Sequence, residues 1–468
     1  MNYVSTRGSA PVLNFEDVLL TGLATDGGLY VPKSWPTFSP DDIRSWRGLS
    51  YAELAARIMQ PFVGTAFTSG ELAGLMNAAY AGFSHAAVAP LKQLHDDIWL
   101  MELFHGPTLA FKDMALQVVG RMFDTVLARR GERIVIIGAT SGDTGSAAIE
   151  AVRGSASAEI FMLHPHGRVS EAQRRQMTTV RVPNVHNIAV DGTFDDCQDL
   201  VKAMFNDADF RARHRLSAVN SINWARIAAQ IVYYFRAALA LGAPDRPIAF
   251  AVPSGNFGNV FAGYAAARMG LPVAALYVGT NRNDILARFL ASGEMATETV
   301  HPTISPSMDI QISSNFERLL FELLDRDGDA VNGRMAGLRE SGAFAVDAGC
   351  LARARQMFAG FRCDDDATRA EIAATYRATG ELLDPHSAIG VAAARALGAG
   401  KGIPVVALAT AHPAKFPQAV TEAAGVVPKL PAQLADLYDR EERCTRLPND
   451  LRTIEDHVDM RLKERVAA

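Results

Sequence analysis

A lysine flanked by apolar residues is one position of this sequence that could form a covalent bond. Lys112 lies in the segment HGPTLAFKDMALQ, between Phe111 and Met114 and near the start of a predicted helix. Partial removal from water lowers the pKa of a lysine and makes its neutral amine available for a Schiff base. The alternative is a lysine whose side chain extends from the helix end into water.

A loop with two glycines, PSGNFGN at Pro253–Asn259, could bind a phosphate. A predicted strand precedes the loop and a predicted helix follows it. Gly255 and Gly258 let the backbone approach an anion closely, and the helix N-terminus adds partial positive charge. The loop lacks the Gly-Lys-Ser/Thr ending of a Walker motif and the GxGxxG spacing of dinucleotide-binding loops. A tight turn whose glycines serve packing alone is the alternative.

Hydroxyl residues follow another predicted strand in GATSGDTGSAA, Gly138–Ala148. Thr140, Ser141 and Thr144 offer hydroxyl and amide donors at a helix N-terminus, which suits a carboxylate. The alternative is that the loop only caps the helix, with Asp143 or Thr144 as the cap.

An arginine lies in the first turn of a further predicted helix, in VNSINWARIAAQ. Asn223 would cap this helix, and a cation in its first turn opposes the helix dipole. Arg226, with Ser221 and Asn220 nearby in sequence, therefore suggests an anion shared between the helix end and the guanidinium. A solvated surface arginine is the alternative.

Two segments near the C-terminal end carry polar residues beside a predicted buried strand. In ALATAHPAKF, Thr410 follows the strand and could bind a ligand group at the sheet edge, or could simply end the strand before Pro413. In LLDPHSAIG, Asp384 and Pro385 predict a helix start, and a structural role for His386 is favoured. The spacing of the histidines does not match HExxH, so no metal is predicted.

The elements that carry these segments alternate between strand and helix. Predicted strands cover Ile98–Phe104, Arg133–Ile137, Glu159–Leu163, Ile248–Val252 and Pro404–Ala409. Predicted helices cover Phe111–Leu127, Ser146–Val152 and Val260–Met269. This alternation indicates βαβ units in a doubly wound parallel sheet, with ligands at the carboxyl ends of the strands. In the first ninety or so residues, Ser50 and Ser69 are expected to cap two helices.

Composition restricts the class of protein. The 468 residues are 49% hydrophobic and 21% charged, with a net charge of −5, so a packed core is expected and nucleic acid is an unexpected partner. No apolar run reaches the roughly 20 residues of a membrane span, and the first residues lack the apolar stretch of a secretory signal. The four cysteines form no CxxC pair, so reduced thiols in a cytoplasmic protein are expected.

A Schiff-base lysine, a phosphate loop and a hydroxyl at a strand end together describe a pyridoxal phosphate site. The chain resembles the threonine synthase family of fold-type II (tryptophan synthase β-like) pyridoxal phosphate enzymes. The resemblance runs nearly end to end, through YVSTRG, DGGLYVP, FHGPTLAFKD, SGDTG, NSINWAR, SGNFGN, LLDPHSAIG and ATAHPAKF. It implies an α/β fold of two doubly wound parallel-sheet lobes with a mostly helical N-terminal module.

The resemblance also implies roles for the matched residues. Lys112 would bind the cofactor covalently and transfer protons, and Thr410 would meet the pyridine nitrogen. Asp143 stands where the wider fold often has asparagine and would contact the 3′ oxygen of the cofactor. The cofactor phosphate would be bound by Gly255, Asn256, Phe257, Gly258 and Asn259. The substrate carboxylate would be bound by Thr140, Ser141 and Thr144, and the substrate phosphate by Asn220, Ser221 and Arg226.

The implied reaction converts O-phospho-L-homoserine and water into L-threonine and phosphate by γ-elimination and β-addition, the last step of threonine biosynthesis. A different fold-type II lyase, either a serine/threonine dehydratase or a phospho-lyase, is the alternative. Arg226 and Ser221 disfavour a dehydratase, whose substrate carries no phosphate. We predict an N-terminal module at residues 1–92, a catalytic region of two lobes at 93–425 and a helical tail at 426–468. A monomer or homodimer is expected.

Overall fold

The computed structural model describes residues 1–217 and 221–467. It divides into two compact units. The first unit contains Met1–Ala115 and Ser221–Lys429, and the second contains Leu116–Asn220 and Leu430–Ala468. Both units are assembled from segments that are distant in sequence. The predicted boundaries at residues 92 and 425 stay predictions.

The strands are short and follow one another with helices between most of them. They are β1 Tyr3–Ser5, β2 Tyr30–Pro32, β3 Leu91–His95, β4 Ile98–Glu102, β5 Ile134–Ala139, β6 Ala158–Pro165, β7 Val185–Asp191, β8 Leu216–Ser217, β9 Ile248–Pro253, β10 Val273–Thr280, β11 Glu294–Ala296, β12 Ala343–Ala345, β13 Phe358–Arg362, β14 Val405–Ala409 and β15 Thr445–Pro448.

The α-helices are α1 Phe15–Thr21, α2 Pro40–Ser45, α3 Tyr51–Val63, α4 Ser69–Tyr80, α5 Lys112–Arg130, α6 Asp143–Val152, α7 Glu171–Thr178, α8 Phe194–Asn206, α9 Ala208–His214, α10 Trp224–Ala240, α11 Gly258–Arg268, α12 Ile285–Ser292, α13 Phe316–Leu323, α14 Gly328–Ser341, α15 Ala348–Arg355, α16 Asp365–Thr379, α17 Pro385–Gly398, α18 Pro417–Ala424 and α19 Leu451–Ala467. Within residues 1–217 and 221–467, no helix is both long and apolar enough to cross a membrane.

A mostly parallel sheet organises the first unit. Its strand order is β13-β10-β9-β14-β4-β3, and only the pairing of β3 with β4 is antiparallel. The β14 strand is buried throughout, which explains its continuous apolar sequence. Helix α17 packs on the same core through residues such as Ala388 and Val391.

A fully parallel sheet organises the second unit, with strand order β15-β7-β6-β5-β8. Its core combines Ile137 and Phe161 with residues of the C-terminal helix α19, including Ile454 and Val458. The two sheets confirm the predicted α/β class with two parallel-sheet lobes, and each predicted strand is present within a few residues of its expected bounds.

The N-terminal segment is mostly helical, as predicted, with α1 to α4 and the small β1–β2 sheet. The Ser50 cap of α3 is confirmed, but the expected cap at Ser69 is wrong. Thr68 caps α4 instead, because its hydroxyl accepts from the amide of Glu71 while that carboxylate accepts from the Thr68 amide.

Trp224, the first residue of α10, connects the N-terminal segment to the first unit's core. Its indole is fully buried against the rings of Tyr3, Trp35 and Phe62. The neighbouring Asn223 side chain donates to the carbonyl of Leu19 at 2.7 Å. These contacts fix the start of α10, and with it the position of the residues of its first turn.

Candidate active site

Three adjacent strands of the first unit's sheet end at the same edge. The three strands are β9, β14 and β4, and β14 lies between the other two and is parallel to both. The loop Pro253–Asn259 begins at the end of β9, Thr410 follows β14, and the lysine segment follows β4. The carboxyl ends of parallel strands are the usual ligand site of such a sheet. The structure therefore brings together three of the predicted segments.

Lys112 and Thr410 are joined through a short backbone ladder. The amide of Phe111 donates to the carbonyl of Thr410 at 2.8 Å, and the amide of His412 donates to the carbonyl of Leu109 at 3.0 Å. Lys112 is 8% exposed and opens helix α5, so its side chain does not extend freely into water. The buried position favours the interpretation as a reactive amine over a solvated lysine.

Asp113, next to Lys112, fixes the preceding loop. Its carboxylate accepts from the amide of Thr108 at 2.8 Å and from the Thr108 hydroxyl at 2.7 Å. The fully buried ammonium of Lys415 donates to the Thr108 carbonyl at 2.6 Å. A Cβ at Gly106 would lie 2.4 Å from Asp113, so this loop requires glycine there.

The loop Pro253–Asn259 has the geometry of an anion cradle. Phe257 adopts a left-handed conformation (φ 61°) and precedes α11 without any side-chain hydrogen bond to the helix N-terminus. The first amides of α11 are therefore not capped, and such amides bind anions well. A Cβ at Gly255 would lie 3.1 Å from Cα of Met308, so a side chain there would press the loop against the segment that contains Met308.

Asn259 contributes an amide donor to the same loop. Its Oδ1 accepts from the hydroxyl of Tyr233 at 2.6 Å, and its backbone carbonyl accepts from Tyr234 at 2.7 Å. The Nδ2 group of Asn259 is buried and has no hydrogen-bond partner within the described residues. Asn256 is exposed, and its carbonyl accepts from the amide of Asn315 at 3.1 Å.

Arg226 is a buried cation of the first unit. It is 4% exposed, so the alternative of a solvated surface arginine is wrong. Its Nε and Nη1 atoms have no hydrogen-bond partner within residues 1–217 and 221–467. Burial lowers the pKa of Arg226 to about 10, which still leaves the guanidinium charged at neutral pH. A buried cation with two unpaired donor atoms is costly, so an anionic ligand is the simplest reason for its retention.

The predicted cap of α10 is confirmed, because Oδ1 of Asn223 accepts from the amide of Ala225 at 3.0 Å. Ser221 lies close to the cradle, since its carbonyl and Gly258 both adjoin the side-chain amide of Asn315. A Cβ at Gly258 would also lie 3.4 Å from Ile227, the residue after Arg226. Asn220, the third residue predicted at this site, lies outside the described residues.

Two further polar residues near Arg226 were missed by the sequence interpretation. The hydroxyl of Tyr51 and Oε1 of Gln230 are buried, and Oε1 of Gln230 has no hydrogen-bond partner within the described chain. Burial raises the pKa of Tyr233. Tyr51 and Arg226 lie close enough to Tyr233 to affect its pKa as well. Arg226, Gln230 and Tyr233 share one face of α10, a spacing that could have been read from the sequence. The contribution of Tyr51 could not have been predicted in this way, because Tyr51 lies on α3.

The hydroxyl loop at residues 140–144 belongs to the second unit and follows β5. Gly142 precedes α6 with φ 137° and no side-chain cap, so the predicted capping by Asp143 or Thr144 is wrong. The Thr140 hydroxyl accepts from the amides of Gly142 and Gly145, which shapes the loop. The carboxylate of Asp143 accepts from Gln173 at 2.9 Å. Ser141 is exposed and Thr144 half-buried, so both remain accessible to a ligand.

His386 has a structural environment, as favoured from the sequence. Asp384 caps α17, with Pro385 as the first helical residue, and its carboxylate accepts from Nδ1 of His386 at 2.6 Å. Nε2 of the same ring accepts from the amide of Ser307 at 3.3 Å. Both ring nitrogens are therefore occupied.

Comparison with known proteins identifies the family. Family models described as "Threonine synthase N terminus", "Pyridoxal-phosphate dependent enzyme" and "Threonine synthase, C-terminal" match residues 2–80, 85–346 and 387–458. The threonine synthase of Pseudomonas aeruginosa is 58% identical over 459 residues, which cover 98% of both chains. The chain belongs to the threonine synthase family.

Solved structures of the family agree. A PLP-bound threonine synthase from Brucella melitensis is 55% identical with a TM-score of 0.97, covering 98% of this chain and 99% of that one. The yeast enzyme is 40% identical with a TM-score of 0.94, covering 99% of each chain. The fold is therefore that of a fold-type II enzyme, and the chain is a lyase whose cofactor is pyridoxal phosphate.

The residues of the first unit fit this cofactor. Lys112 offers a buried amine at the start of α5, which follows β4. The uncapped start of α11 and Nδ2 of Asn259, which has no partner within the described residues, offer phosphate donors after β9. Thr410, 6% exposed, lies at the end of the strand between them. The resemblance, the buried amine and the cradle point to the same group.

Proposed function

We propose that this chain converts O-phospho-L-homoserine and water into L-threonine and phosphate. The observation that carries the proposal is the buried guanidinium of Arg226, whose Nε and Nη1 atoms have no hydrogen-bond partner within the described residues. The reaction needs two phosphate sites, one for the cofactor and one for the substrate. The first unit offers one candidate for each.

On this proposal, the cofactor contacts follow the resemblance. Lys112 binds the cofactor covalently, and residues 255–259 bind its phosphate. Thr410 meets the pyridine nitrogen with a hydroxyl, which does not hold the ring cationic as a carboxylate would. Asp143 contacts the 3′ oxygen. When bound, pyridoxal phosphate supplies an electron sink that acidifies the carbon beside the substrate amine.

The substrate contacts divide between its two acidic groups. Thr140, Ser141 and Thr144 bind the carboxylate, and Arg226 with Ser221 and Asn220 binds the phosphate. Gly142 has no side chain to cap α6, and the Thr140 hydroxyl accepts from the amides of Gly142 and Gly145. The other amides of the first turn, with the hydroxyls of Ser141 and Thr144, are donors of the kind that a carboxylate requires, which supports the first assignment. The ε-amine of Lys112 would also take the proton from the α-carbon of the substrate. The cytoplasmic location and the monomeric or homodimeric state stay predictions.

The deciding experiment supplies O-phospho-L-homoserine to the purified holoenzyme and measures inorganic phosphate together with the organic product. Equal amounts of phosphate and L-threonine are expected. Phosphate accompanied by 2-oxobutyrate and ammonia would instead indicate a phospho-lyase. Turnover of unphosphorylated L-threonine to 2-oxobutyrate as the main activity would indicate a dehydratase. L-Homoserine, which lacks the phosphate, is the matched control and should not react.

A further inference from the structure

A buried hydrogen-bond network connects the start of α17 to Thr410. The hydroxyl of Ser387 accepts from the amide of Thr410 at 3.0 Å and donates its own hydrogen to Oδ1 of Asp384. Asp384 is fully buried, and its other oxygen accepts from Nδ1 of His386. Helix capping requires only Asp384, whose Oδ1 also accepts from the amide of Ser387 at 3.1 Å. The Ser387 hydroxyl is therefore not needed for the cap.

The network continues from Thr410 toward the lysine. The carbonyl of Thr410 accepts from the amide of Phe111, the residue before Lys112. The amide of Leu103 donates to the carbonyl of Ala409 at 3.0 Å, and the bridge between Ala110 and Ala411 extends the same ladder. Both peptide groups that flank the Thr410 side chain are thus hydrogen-bonded, one to Ser387 and one to the lysine segment.

This arrangement matters because the aldehyde carbon and the ring nitrogen of pyridoxal phosphate lie at opposite ends of the ring. The lysine and the hydroxyl that meet them must be held at a fixed separation. We propose that Ser387 and Asp384 are positioning residues that hold Thr410 in register with Lys112 and so set the affinity for the cofactor. The inference rests on the roles proposed for Lys112 and Thr410.

The test compares Ser387→Ala with Ser387→Thr, which keeps the hydroxyl. Cofactor affinity is measured by absorbance titration of the apoprotein, and exchange of the Thr410 amide is measured by mass spectrometry. We expect Ser387→Ala to bind the cofactor about tenfold more weakly, with faster exchange at Thr410, because a buried amide loses its acceptor. Ser387→Thr should stay close to the wild-type chain in both measurements.

Ser155→Ala is the matched control. Ser155 is also a buried serine whose hydroxyl accepts from backbone amides, those of Ser157 and Ala158, but it lies in the turn after α6. This variant should lose thermal stability and keep its cofactor affinity. Equal losses of cofactor affinity in Ser155→Ala and Ser387→Ala would overturn the inference, because they would show a general effect of stability.

Other results would also contradict the proposed role. The role would be refuted if Ser387→Ala kept the wild-type cofactor affinity and a protected Thr410 amide. It would also be refuted if Ser387→Thr lost as much cofactor affinity as Ser387→Ala. Borohydride reduction of the wild-type holoenzyme separates this failure from that of the proposed function. Label on a side chain other than Lys112 would refute both proposals, whereas label on Lys112 with an unaffected Ser387→Ala would refute the positioning role alone.

Discussion

The hydroxyl of Tyr233 donates a 2.6 Å hydrogen bond to Oδ1 of Asn259. Because this bond occupies the acceptor end of the amide, the donor Nδ2 is the end left without a partner in the described chain. The orientation of Asn259 is therefore set from α10, the helix that also carries Arg226. One helix thus contributes to both proposed phosphate sites.

Asn259→Asp should sharply weaken binding of pyridoxal phosphate. The change keeps the acceptor for Tyr233 but replaces the Nδ2 donor by an oxygen, and a lost hydrogen bond to a charged group costs about 1.5–3 kcal/mol. Titration of the apoprotein gives the dissociation constant. Pyridoxal without its phosphate is the matched control and should bind both proteins alike. An equal loss for the two ligands would place Asn259 away from the phosphate.

Gly255→Ala should also weaken cofactor binding, for a steric reason. Its Cβ would lie 3.1 Å from Cα of Met308, and crowding of this kind costs about 1–3 kcal/mol. Gly74→Ala in α4, where a Cβ meets nothing within 4 Å, is the control and should stabilise the fold slightly. Unchanged affinity in Gly255→Ala would argue against close approach of the cofactor to this loop.

Lys112→Ala should abolish turnover while leaving the circular dichroism spectrum unchanged, because the variant loses the amine that binds the cofactor. Borohydride reduction followed by peptide mapping should label residue 112 in the wild-type chain and leave the variant unlabelled. Lys401→Ala, at an exposed lysine, is the control and should retain activity and label. Full turnover by Lys112→Ala would rule out the proposed role.

Arg226→Met should stabilise the apoprotein, by about 1–4 kcal/mol, because it removes a buried charge whose Nε and Nη1 atoms have no partner within the described residues. The same change should raise the KM for O-phospho-L-homoserine by a far larger factor than it raises the dissociation constant of the cofactor. Inorganic phosphate should raise the thermal midpoint of the wild-type chain and not that of the variant. A destabilised apoprotein would mean that the guanidinium is already satisfied.

Arg318→Met is the matched control for that prediction. Arg318 is also fully buried, but its guanidinium donates to the carbonyl oxygens of Tyr30 and Ile222 and to Asn315. Its loss leaves buried acceptors unpaired, so this variant should be less stable than the wild-type chain. The two arginines should therefore give opposite signs in the same thermal assay.

His164 should make the fold less stable as pH falls. Burial lowers its pKa from 6.5 to about 4, and its Nδ1 has no partner within the described residues. Below pH 6.5 the unfolded chain takes up a proton that the folded chain does not, so stability declines until pH 4 is reached. Between pH 7 and 5 the loss from this residue is about 2 kcal/mol.

His164→Asn should reduce that pH dependence, as measured by unfolding at both pH values. His95→Asn is the control, because the His95 side chain is exposed. If His164→Asn lost as much stability between pH 7 and pH 5 as the wild-type chain, His164 would have to be protonated in the folded chain.

Much of the local structure could be predicted from the sequence, because it depends on neighbouring residues. Asn223 and Asp384 cap their helices as expected, since a side-chain oxygen reaches amides two or three residues ahead. The cap of α6 could not be predicted in this way. Gly142 adopts φ 137°, and the side chain that accepts from the amides of Gly142 and Gly145 is that of Thr140, which precedes the helix by three residues.

The sequence by itself determined the α/β class, the glycine loop and the choice of Lys112, because strand–helix alternation, glycine placement and motif similarity are local or additive. Only the tertiary structure decided that β9, β14 and β4 are neighbours, which puts the three segments at one sheet edge. It also decided that Arg226 is buried, with Nε and Nη1 unpartnered within the described residues, and that Tyr51 of α3 lies near Tyr233. Strand pairing and burial depend on packing between residues far apart in the chain, which no local pattern encodes.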